Sequence, residues 1–486
     1  MHILPSLLTP KSINILRNFI LLLALFSFLS SPAQDFTENV KRFIAIDTTT
    51  FALVNAKVYD GLGGAVKTEQ TLVVEDGKIL AIGPSSEVKA PVNALIIDCS
   101  GKTIIPGMVM LHEHMFYTKT FEDFFSVGQL SFTFPRLYLA GGTTTIRTAG
   151  SIQVQTDLNL KKAIDKGQIT GPKMDVTSPH INRPREGILE LGNINSPEQA
   201  RKSVEYWAAM GVTSFKVYEN ITRDDLKAVV DEAHKLGHKV TGHLCSVTFR
   251  EAAEIGIDNL EHGFFVSSDF VDEKKKDLCD PFERRKSLRA LPEDSEEMKD
   301  LMQFLIKKKV AITSTLNVFE PFTGREAVPG GGEDALVPSL RDKLYKQQLR
   351  YQFRDSALIA HFKKEMYWEK QFHDMGGLLV YGTDPTGAGR TVAGYANQRG
   401  VELLVEAGFS ISEAIKICTL NGAIYLDQQE SIGTLEAGKI ADIVLIDGDL
   451  EGDVSNIRKM EIIFKDGIGW DSQKMFKSVN GLVGLN

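Results

Sequence analysis

Cysteine is scarce in this sequence of 486 residues. The four cysteines are Cys99, Cys245, Cys279 and Cys418, and no two of them form a C-x-x-C pair. So few cysteines cannot supply a disulfide scaffold, and without a C-x-x-C pair a thiolate metal site is not supported. An exported protein could still form a disulfide among them, but we expect buried free thiols.

The sequence also lacks an excess of positive charge. Lys and Arg total 55 against 63 Asp and Glu, which gives a net charge of −8, and there is no long basic run. This balance argues against nucleic acid as a partner. Hydrophobic residues make up 43% and charged residues 24% of the chain, so collagen-like and largely disordered proteins are excluded.

The N-terminus carries an apolar run of 11 residues, 19–29, which follows Lys11 and Arg17 and precedes Ser31 and Ala33. Basic, apolar and small residues in this order predict a signal peptide over residues 1–33, cleaved near Ala33. A helix of this length rises about 16 Å, too little to cross a hydrocarbon core of ~30 Å. We therefore expect export to the periplasm or the extracellular space without stable membrane insertion. An uncleaved N-terminal anchor is the alternative.

Both ends of the mature chain have strand patterns. Residues 51–105 contain short alternating runs separated by turns, and Asp76-Gly77 between two of these runs predicts a hairpin. Residues 433–449 and 457–467 have the same character. We therefore predict that residues 34–105 and 433–486 form one small β-sandwich domain.

Residues 106–432 have a different pattern, in which strand-like runs alternate with helical ones. One helix is predicted over residues 196–211, where Ser196 suits the N-cap and Gly211 the end. Eight strands separated by helices, beginning with VMLHEH, predict an α/β fold of the parallel (β/α)₈ TIM-barrel type. A doubly wound open sheet is the alternative, but no G-x-G-x-x-G follows the first strand.

Two long, charged helical segments interrupt this alternation, at about residues 267–309 and 320–375. They lie before and after the seventh predicted strand, and insertions of this kind form lids and substrate walls in barrel enzymes. Helices that only cover the solvent-exposed surface are an equal alternative.

Histidines stand at the ends of the predicted strands. His112 and His114 are two residues apart in the first strand, so both side chains point to one face and suit one metal ion. His243, His262 and Asp384 end three later strands, at the edge where barrel enzymes keep their catalytic groups. Imidazole and carboxylate ligands suit Zn²⁺ or another divalent transition ion.

The strand SFKVY carries Lys216 and Tyr218 on the face opposite to Phe215 and Val217. If the apolar pair faces the helices, Lys216 and Tyr218 point into the barrel. A protonated ammonium would repel metal ions, whereas carbamylation by CO₂ would turn Lys216 into a bridging carboxylate. A structural salt bridge is the alternative, but the surrounding histidines and Asp384 favour the carbamate.

In this order, the motifs resemble those of the amidohydrolase superfamily, specifically its prolidase-like and imidazolonepropionase-like branch. PGMVMLHEH resembles the first-strand H-x-H motif, and SFKVY resembles the strand of the carbamylated lysine. TGHL and LEHG resemble the fifth- and sixth-strand histidine motifs, and YGTD the eighth-strand aspartate motif. The resemblance extends over roughly residues 51–468.

The resemblance implies two divalent metal ions, with zinc as the expected metal. The implied ligands are His112, His114 and Asp384 for one ion, His243 and His262 for the other, and carbamylated Lys216 with a hydroxide between them. Met110 stands where the family often has an Asp, so the residues that would hydrogen-bond to the ligands of the first ion differ from the family pattern. His180 would replace a Gly-Gly-His segment that the chain lacks.

The implied reaction is hydrolysis of a C–N amide bond in a small-molecule substrate, first of all a dipeptide or an N-acyl amino acid. Asp384 would carry the proton to the leaving amine, while Tyr218 and His180 would donate hydrogen bonds to the oxyanion. We expect Arg183 and Arg185 to bind a substrate carboxylate.

Three other functions are weighed against this one. A cyclic amide or imidazolonepropionase-like hydrolase would share the fold and the metals. A mononuclear deaminase is disfavoured, because Ser246 stands where it would need Glu, and Lys216 would have no role. A barrel that only binds a ligand would not need the complete ligand set. The oligomeric state is left open, with a homo-oligomer as one option.

Overall fold

The computed structural model describes residues 35–119, 127–184, 192–326, 328–351 and 356–485. The predicted signal peptide and Arg185 therefore lie outside the described residues. Among the helices of the described ranges, none has the length and the apolar composition that crossing a membrane requires.

The first strands come from the N-terminal segment. They are β1 Ile44–Ile46, β2 Thr50–Val58, β3 Lys67–Glu75, β4 Lys78–Pro84, β5 Leu95–Asp98 and β6 Thr103–Pro106. The predicted hairpin joins β3 to β4, with Glu75 opposite Lys78. Asp76 and Gly77 in its turn have φ values of 47° and 75°, as a two-residue turn of type I′ requires.

The remaining strands begin with the histidine motif. They are β7 Met108–Glu113, β8 Phe116–Thr118, β9 Val127–Gln129, β10 Thr143–Thr148, β11 Lys173–Asp175, β12 Thr177–Asn182, β13 Gly192–Asn193, β14 Ser214–Val217, β15 Lys239–Gly242, β16 Asn259–Glu261, β17 Ala311–Ser314, β18 Leu379–Tyr381, β19 Ile443–Ile446, β20 Met460–Lys465 and β21 Ile468–Asp471.

Strands from both ends of the chain pair in one sheet. Its order is β1-β21-β20-β19-β6-β2-β3-β4, with β5 paired to β2. The two ends meet where β6 and β19 run antiparallel, with Ile105 opposite Val444. Phe51 and Phe464 stack 4.6 Å apart within an apolar cluster that belongs to this sheet. The ends of the chain thus share one sheet and one apolar core.

The central strands are parallel and form two sheets, β11-β10-β7 and β13-β12-β14-β15-β16-β17-β18. Only Val176 separates β11 from β12, so the chain passes directly from one sheet to the other. The outer strands of the two sheets, β18 and β7, also approach each other: the amides of Thr383 and Asp384, which follow β18, donate to the carbonyl of His112 in β7 at 3.1 and 2.9 Å. Helices alternate with these strands, which makes the fold a TIM-barrel-like α/β fold.

The segment after β18 approaches β7 closely because residue 382 is a glycine. A methyl group added at Gly382 would lie 2.6 Å from Cα of His112 and overlap its backbone. The backbone hydrogen bonds that hold Asp384 beside His112 therefore depend on the absence of a side chain at this position.

The predicted helix over residues 196–211 is confirmed as Pro197–Met210. Ser196 Oγ accepts a hydrogen bond from the amide of Gln199 at 3.2 Å, and Gly211 ends the helix with φ 104°. The α-helices are Glu38–Lys41, Phe134–Ala140, Val154–Asp165, Pro197–Met210, Arg223–Lys235, Phe249–Ile255, Pro281–Ala290, Glu296–Lys307, Leu316–Phe319, Pro338–Tyr351, Ser356–Asp374, Tyr395–Glu406, Ile411–Cys418, Leu420–Tyr425 and Ser472–Lys477. Short 3₁₀ helices are Glu320–Thr323, Glu333–Ala335 and Val454–Arg458.

The cysteines correct one expectation. Cys99 and Cys418 are free and buried, as predicted, but Cys245 and Cys279 form a disulfide. The segment after β15 passes close to the segment before helix Pro281–Ala290, and the two Cα atoms lie 4.9 Å apart, within the range that a disulfide can span. The sequence separation of 34 residues gave no indication of this contact.

Candidate metal centre

One cavity of about 390 Å³ opens at the carboxyl ends of the parallel strands; we call it the histidine cavity. Eight of the residues predicted as metal ligands or catalytic groups line it: His112, His114, His180, Lys216, Tyr218, His243, His262 and Asp384. These residues lie in β7, β12 and β14, directly after β7, β14, β15 and β16, or, for Asp384, three residues after the end of β18. The fold therefore brings together side chains that are up to 272 positions apart, between His112 and Asp384.

In His112 and His114, one ring nitrogen lies within hydrogen-bond distance of a residue that does not line the cavity. Nδ1 of His112 lies 2.8 Å from Oε2 of Glu261, and Nδ1 of His114 lies 3.2 Å from the carbonyl oxygen of Gly150. Their Nε2 atoms face Oδ1 of Asp384, at 3.7 and 3.1 Å. Each ring thus keeps one nitrogen and its lone pair for a ligand, as metal-binding histidines generally do.

His262 follows the same pattern, whereas the partner of His243 is Glu219, which itself lines the cavity. Nδ1 of His262 lies 2.9 Å from Oγ1 of Thr315, and Nε2 of His243 lies 3.3 Å from Oε1 of Glu219. The rings of His243 and His262 are 4.4 Å apart, and those of His112 and His262 are 4.6 Å apart. Four imidazoles therefore converge, and His112, His114 and His262 each keep one nitrogen for a metal ion.

A donor atom from each of His112, His262 and Asp384 lies within 4.8 Å of the others, a spacing that suits a shared cation. His262 and Asp384 also have left-handed backbones, with φ 70° and 49°. Such conformations cost energy and are typical of functional sites. The donor set of imidazoles and a carboxylate fits a divalent transition ion.

Burial lowers the pKa of His112, His243 and His262. It brings the pKa of His112 to about 4 and holds the pKa values of His243 and His262 well below the ordinary value. Burial opposes ionisation of Asp384 as well, but the neighbouring His112 and His114 lower the pKa of Asp384 below its usual range. These three imidazoles are therefore neutral near pH 7, which is the form that binds a metal ion.

Lys216 points into the cavity, as the alternation of SFKVY predicted. Phe215 and Val217 belong to the main apolar core, whereas Lys216 Nζ lies 3.6 Å from Oε1 of Glu261. Lys216 is fully buried, and this burial is the main cause that lowers its pKa to about 8. A buried amine with a lowered pKa is deprotonated more readily than an exposed one.

Glu261 is a central residue that the sequence analysis missed. It is fully buried, and its Oε1 accepts a hydrogen bond from Arg147 Nη2 at 2.7 Å. Thr241 also donates to this oxygen. Burial would raise the pKa of Glu261, but Lys216, His112 and Arg147 hold the pKa well below the usual value. A signal existed: Glu261 and Arg147 occupy positions inside strands that a charged side chain rarely takes unless it is paired.

His180 and Tyr218 lie next to each other in the cavity. Their rings are 5.1 Å apart, and the ring of Tyr218 is 4.8 Å from that of His243. Gly150 passes directly beside the ring of His180, where a Cβ atom would collide with it. These positions suit the predicted hydrogen bonds to a substrate.

The structure contradicts the role expected for Arg183. Its Nε and Nη2 bind the carboxylate of Asp225 at 2.6 and 3.0 Å, and its Nη1 donates to the carbonyl of Asn195 at 2.5 Å. Arg183 therefore holds a loop and a helix together and does not line the cavity. Among the described residues, the arginine that lines it is Arg284, from helix Pro281–Ala290, which the sequence analysis did not identify.

The fold and the site together define a class: a TIM-barrel-like α/β protein with a histidine-rich candidate metal centre at the carboxyl ends of its parallel strands. A family model described as the amidohydrolase family matches residues 103–308 and 365–469, more than half of the chain. The chain belongs to the amidohydrolase family, whose members are metal-dependent hydrolases that act on C–N bonds.

Individual relatives are more distant. The chain is 29% identical over 191 residues to an enamidase of Eubacterium barkeri, an alignment that covers 32% of the chain and 48% of the enamidase. It is similar in structure to a Bifidobacterium longum protein described as a prolidase, with a TM-score of 0.63, 23% identity, and coverage of 88% of this chain and 98% of that one. A Xaa-Pro dipeptidase with bound methionine gives a TM-score of 0.65 at 18% identity, with coverage of 87% and 100%.

We predict that Glu261→Gln weakens metal binding. The substitution removes the negative charge that orients His112 and balances Arg147. Loss of a residue that hydrogen-bonds to a metal ligand typically lowers the metal affinity roughly tenfold to a hundredfold. Competition for Zn²⁺ with a chromogenic chelator measures this affinity. The control is Glu198→Gln on the exposed surface of helix Pro197–Met210. Equal zinc affinity of the wild type and Glu261→Gln, with folding intact by circular dichroism, would contradict the role of Glu261.

Proposed function

We propose that this protein is an exported, binuclear metal-dependent amidohydrolase that cleaves the C–N bond of a dipeptide or an N-acyl amino acid. The observation that carries the proposal is the convergence of four imidazoles, Lys216 and Asp384 in one cavity. In the same proposal the parallel strands close into a (β/α)₈ barrel, and the sheet formed by both ends of the chain is a β-sandwich domain.

The ligands divide into two groups around Lys216. His112, His114 and Asp384 would hold one ion, and His243 and His262 the other, with zinc as the expected metal. Carbamylation of the Lys216 amine by CO₂ forms an N–C bond, releases a proton and leaves a carboxylate that can join the two ions. The full burial of Lys216, which lowers its pKa to about 8, supports this modification, because CO₂ reacts with the neutral amine.

The chain's own residues supply the proton transfers and the orientation. Bound divalent ions would acidify a water molecule and polarise the scissile carbonyl. Asp384, beside Nε2 of His114, would accept the proton of that water and deliver it to the leaving amine. His180 and Tyr218, adjacent in the cavity, would donate hydrogen bonds to the oxyanion.

The choice of substrate is supported by the solved structures described as a prolidase and a Xaa-Pro dipeptidase. Hydrolysis of a cyclic amide is a second candidate, because two imidazolonepropionases are relatives in sequence over part of the chain. Ser246 is buried, and its hydroxyl donates to the carbonyl of Ile221 at 2.5 Å, so it supplies no carboxylate for a deaminase. Oε1 of Glu219, however, lies 3.3 Å from Nε2 of His243, so the number of bound ions decides between a deaminase and an amide hydrolase.

The proposed reaction predicts hydrolysis of amide substrates by metal-loaded protein containing about two ions per chain. The measurement is a screen of dipeptides, N-acyl amino acids and cyclic amides, combined with metal analysis of the same preparation. Turnover of linear amides supports the first candidate, and turnover of cyclic amides alone supports the second. About one ion per chain, with release of ammonia from an aminated ring, would overturn both.

We predict that Lys216→Ala loses the bridge, at least one bound ion and most of the hydrolytic activity. Protein prepared with ¹³C-bicarbonate should show a carbamate carbon signal in the wild type and none in this variant. Lys161→Ala, on the exposed surface of helix Val154–Asp165, serves as the control. Wild-type activity and metal content in Lys216→Ala would show that no carbamate is needed.

The proposed export is supported by the leader pattern of residues 1–33 and by the Cys245–Cys279 disulfide, since disulfides persist in oxidising compartments. We predict that the protein recovered outside the cytoplasm begins at Gln34. Mass spectrometry of its N-terminal peptide checks this. An intact Met1 on protein that stays in the cytoplasm would contradict export.

A further inference from the structure

A second cavity of about 420 Å³, which we call the side chamber, adjoins the histidine cavity. Val266, Arg284, Phe319 and Phe322 line both cavities. A ligand that reaches the metal ligands can therefore extend past Arg284 into the side chamber.

The walls of the side chamber are largely aromatic. Phe265 and Phe319 stack with their centroids 3.9 Å apart, and Phe322 meets Tyr351 edge to face at 5.2 Å. Phe362 completes this wall. Rigid aromatic surfaces of this kind bind large apolar groups, and they favour other rings in particular.

The charge of the side chamber has one sign. Arg284, Arg285 and Arg289 line it, and the described residues of its wall include no Asp or Glu. Arg285 and Arg289 are exposed, whereas Arg284 is buried where the two cavities meet. The side chamber therefore suits a ligand that combines an apolar group with an anionic one.

Arg284 is also close to the metal ligands. Its Nη1 lies 3.8 Å from Oε1 of Glu219, and the same oxygen lies 3.3 Å from Nε2 of His243. A guanidinium has five N–H donors in a planar fork, so it can face Glu219 on one side and a carboxylate of a ligand on the other. Arginine binds carboxylates in this bidentate way more often than lysine does.

The helix that carries Arg284 is held at both ends. The Cys245–Cys279 disulfide ties the segment before Asp280 to the segment that follows His243. At the other end, Lys364 Nζ donates to the carbonyls of Leu288 and Leu291 at 3.1 and 2.5 Å. Arg284 thus stands at a fixed position relative to the histidine cavity.

We propose that Arg284 binds the carboxylate of the substrate's leaving amino acid and that the side chamber takes its side chain. The enzyme then prefers dipeptides or N-acyl amino acids whose leaving residue is large and apolar, aromatic ones above all. The preference for this substrate class rests on the proposed amide hydrolysis, whereas binding of an aromatic carboxylate does not. Arg284 takes the role that was expected of Arg183, which pairs with Asp225 instead.

A binding experiment tests the subsite without any reaction. Metal-free protein is titrated calorimetrically with 3-phenylpropanoate and with 3-phenylpropanamide, so that no metal ion contributes to the preference for the carboxylate. The wild type should bind the carboxylate about tenfold to a hundredfold more tightly than the amide, and Arg284→Met should lose this difference. Arg201→Met, on the exposed surface of helix Pro197–Met210, should keep it. If the wild type and Arg284→Met prefer the carboxylate over the amide by the same factor, the proposal is overturned.

A kinetic experiment tests the side chamber in the metal-loaded enzyme. N-acetyl-phenylalanine and N-acetyl-alanine are compared, and Phe322→Ala should reduce the ratio of their kcat/KM values by roughly tenfold. If the wild type hydrolyses both equally and Phe322→Ala leaves the ratio unchanged, the subsite is refuted while amide hydrolysis stands. If the wild type hydrolyses neither but the calorimetric difference is present, amide hydrolysis fails and the carboxylate site stands.

Discussion

A buried carboxylate is stable only when cationic groups or hydrogen-bond donors surround it, and Glu261 is such a carboxylate. One of its oxygens faces Arg147 and Lys216, while the other holds Nδ1 of His112. Arg147 in turn donates to the carbonyl of Leu111 in β7 at 2.8 Å. One buried charge thus links β7, β10, β14 and β16 and sets the orientation of the first metal-binding histidine.

The charge balance around Glu261 connects the state of Lys216 to metal binding. As an ammonium, Lys216 offsets the charge of Glu261. As a carbamate, it would add a negative charge to the same buried space, and only bound cations could compensate for it. Under the proposed function, modification of the lysine and binding of the ions therefore support each other, and neither is expected to be stable alone.

The sequence predicted the parts of the site that follow from strand periodicity. The two-residue spacing of His112 and His114, and the alternation around Lys216, decide which side chains share a face before any tertiary contact is known. It could not identify Glu261 as the partner of His112, because that contact joins strands that are 149 positions apart. Nor could it distinguish Arg183 from Arg284, since the choice depends on Asp225, which pairs with Arg183 in the folded chain. The Cys245–Cys279 disulfide depends on tertiary proximity in the same way.

The helical insertion explains how a common scaffold can acquire its own specificity. The candidate metal ligands lie at or near strand ends, whereas Arg284 and part of the aromatic wall come from helices inserted around β17. Under the proposed function, the reaction and the substrate preference are therefore encoded in different segments of the chain.

Anomalous diffraction from crystals of the purified enzyme, recorded at the zinc edge, tests the central claim most directly. The account predicts two peaks in the histidine cavity, one beside His112, His114 and Asp384 and the other beside His243 and His262. Continuous density should extend from Nζ of Lys216 between them. A single peak, with an unmodified Lys216 still paired to Glu261, would contradict the account.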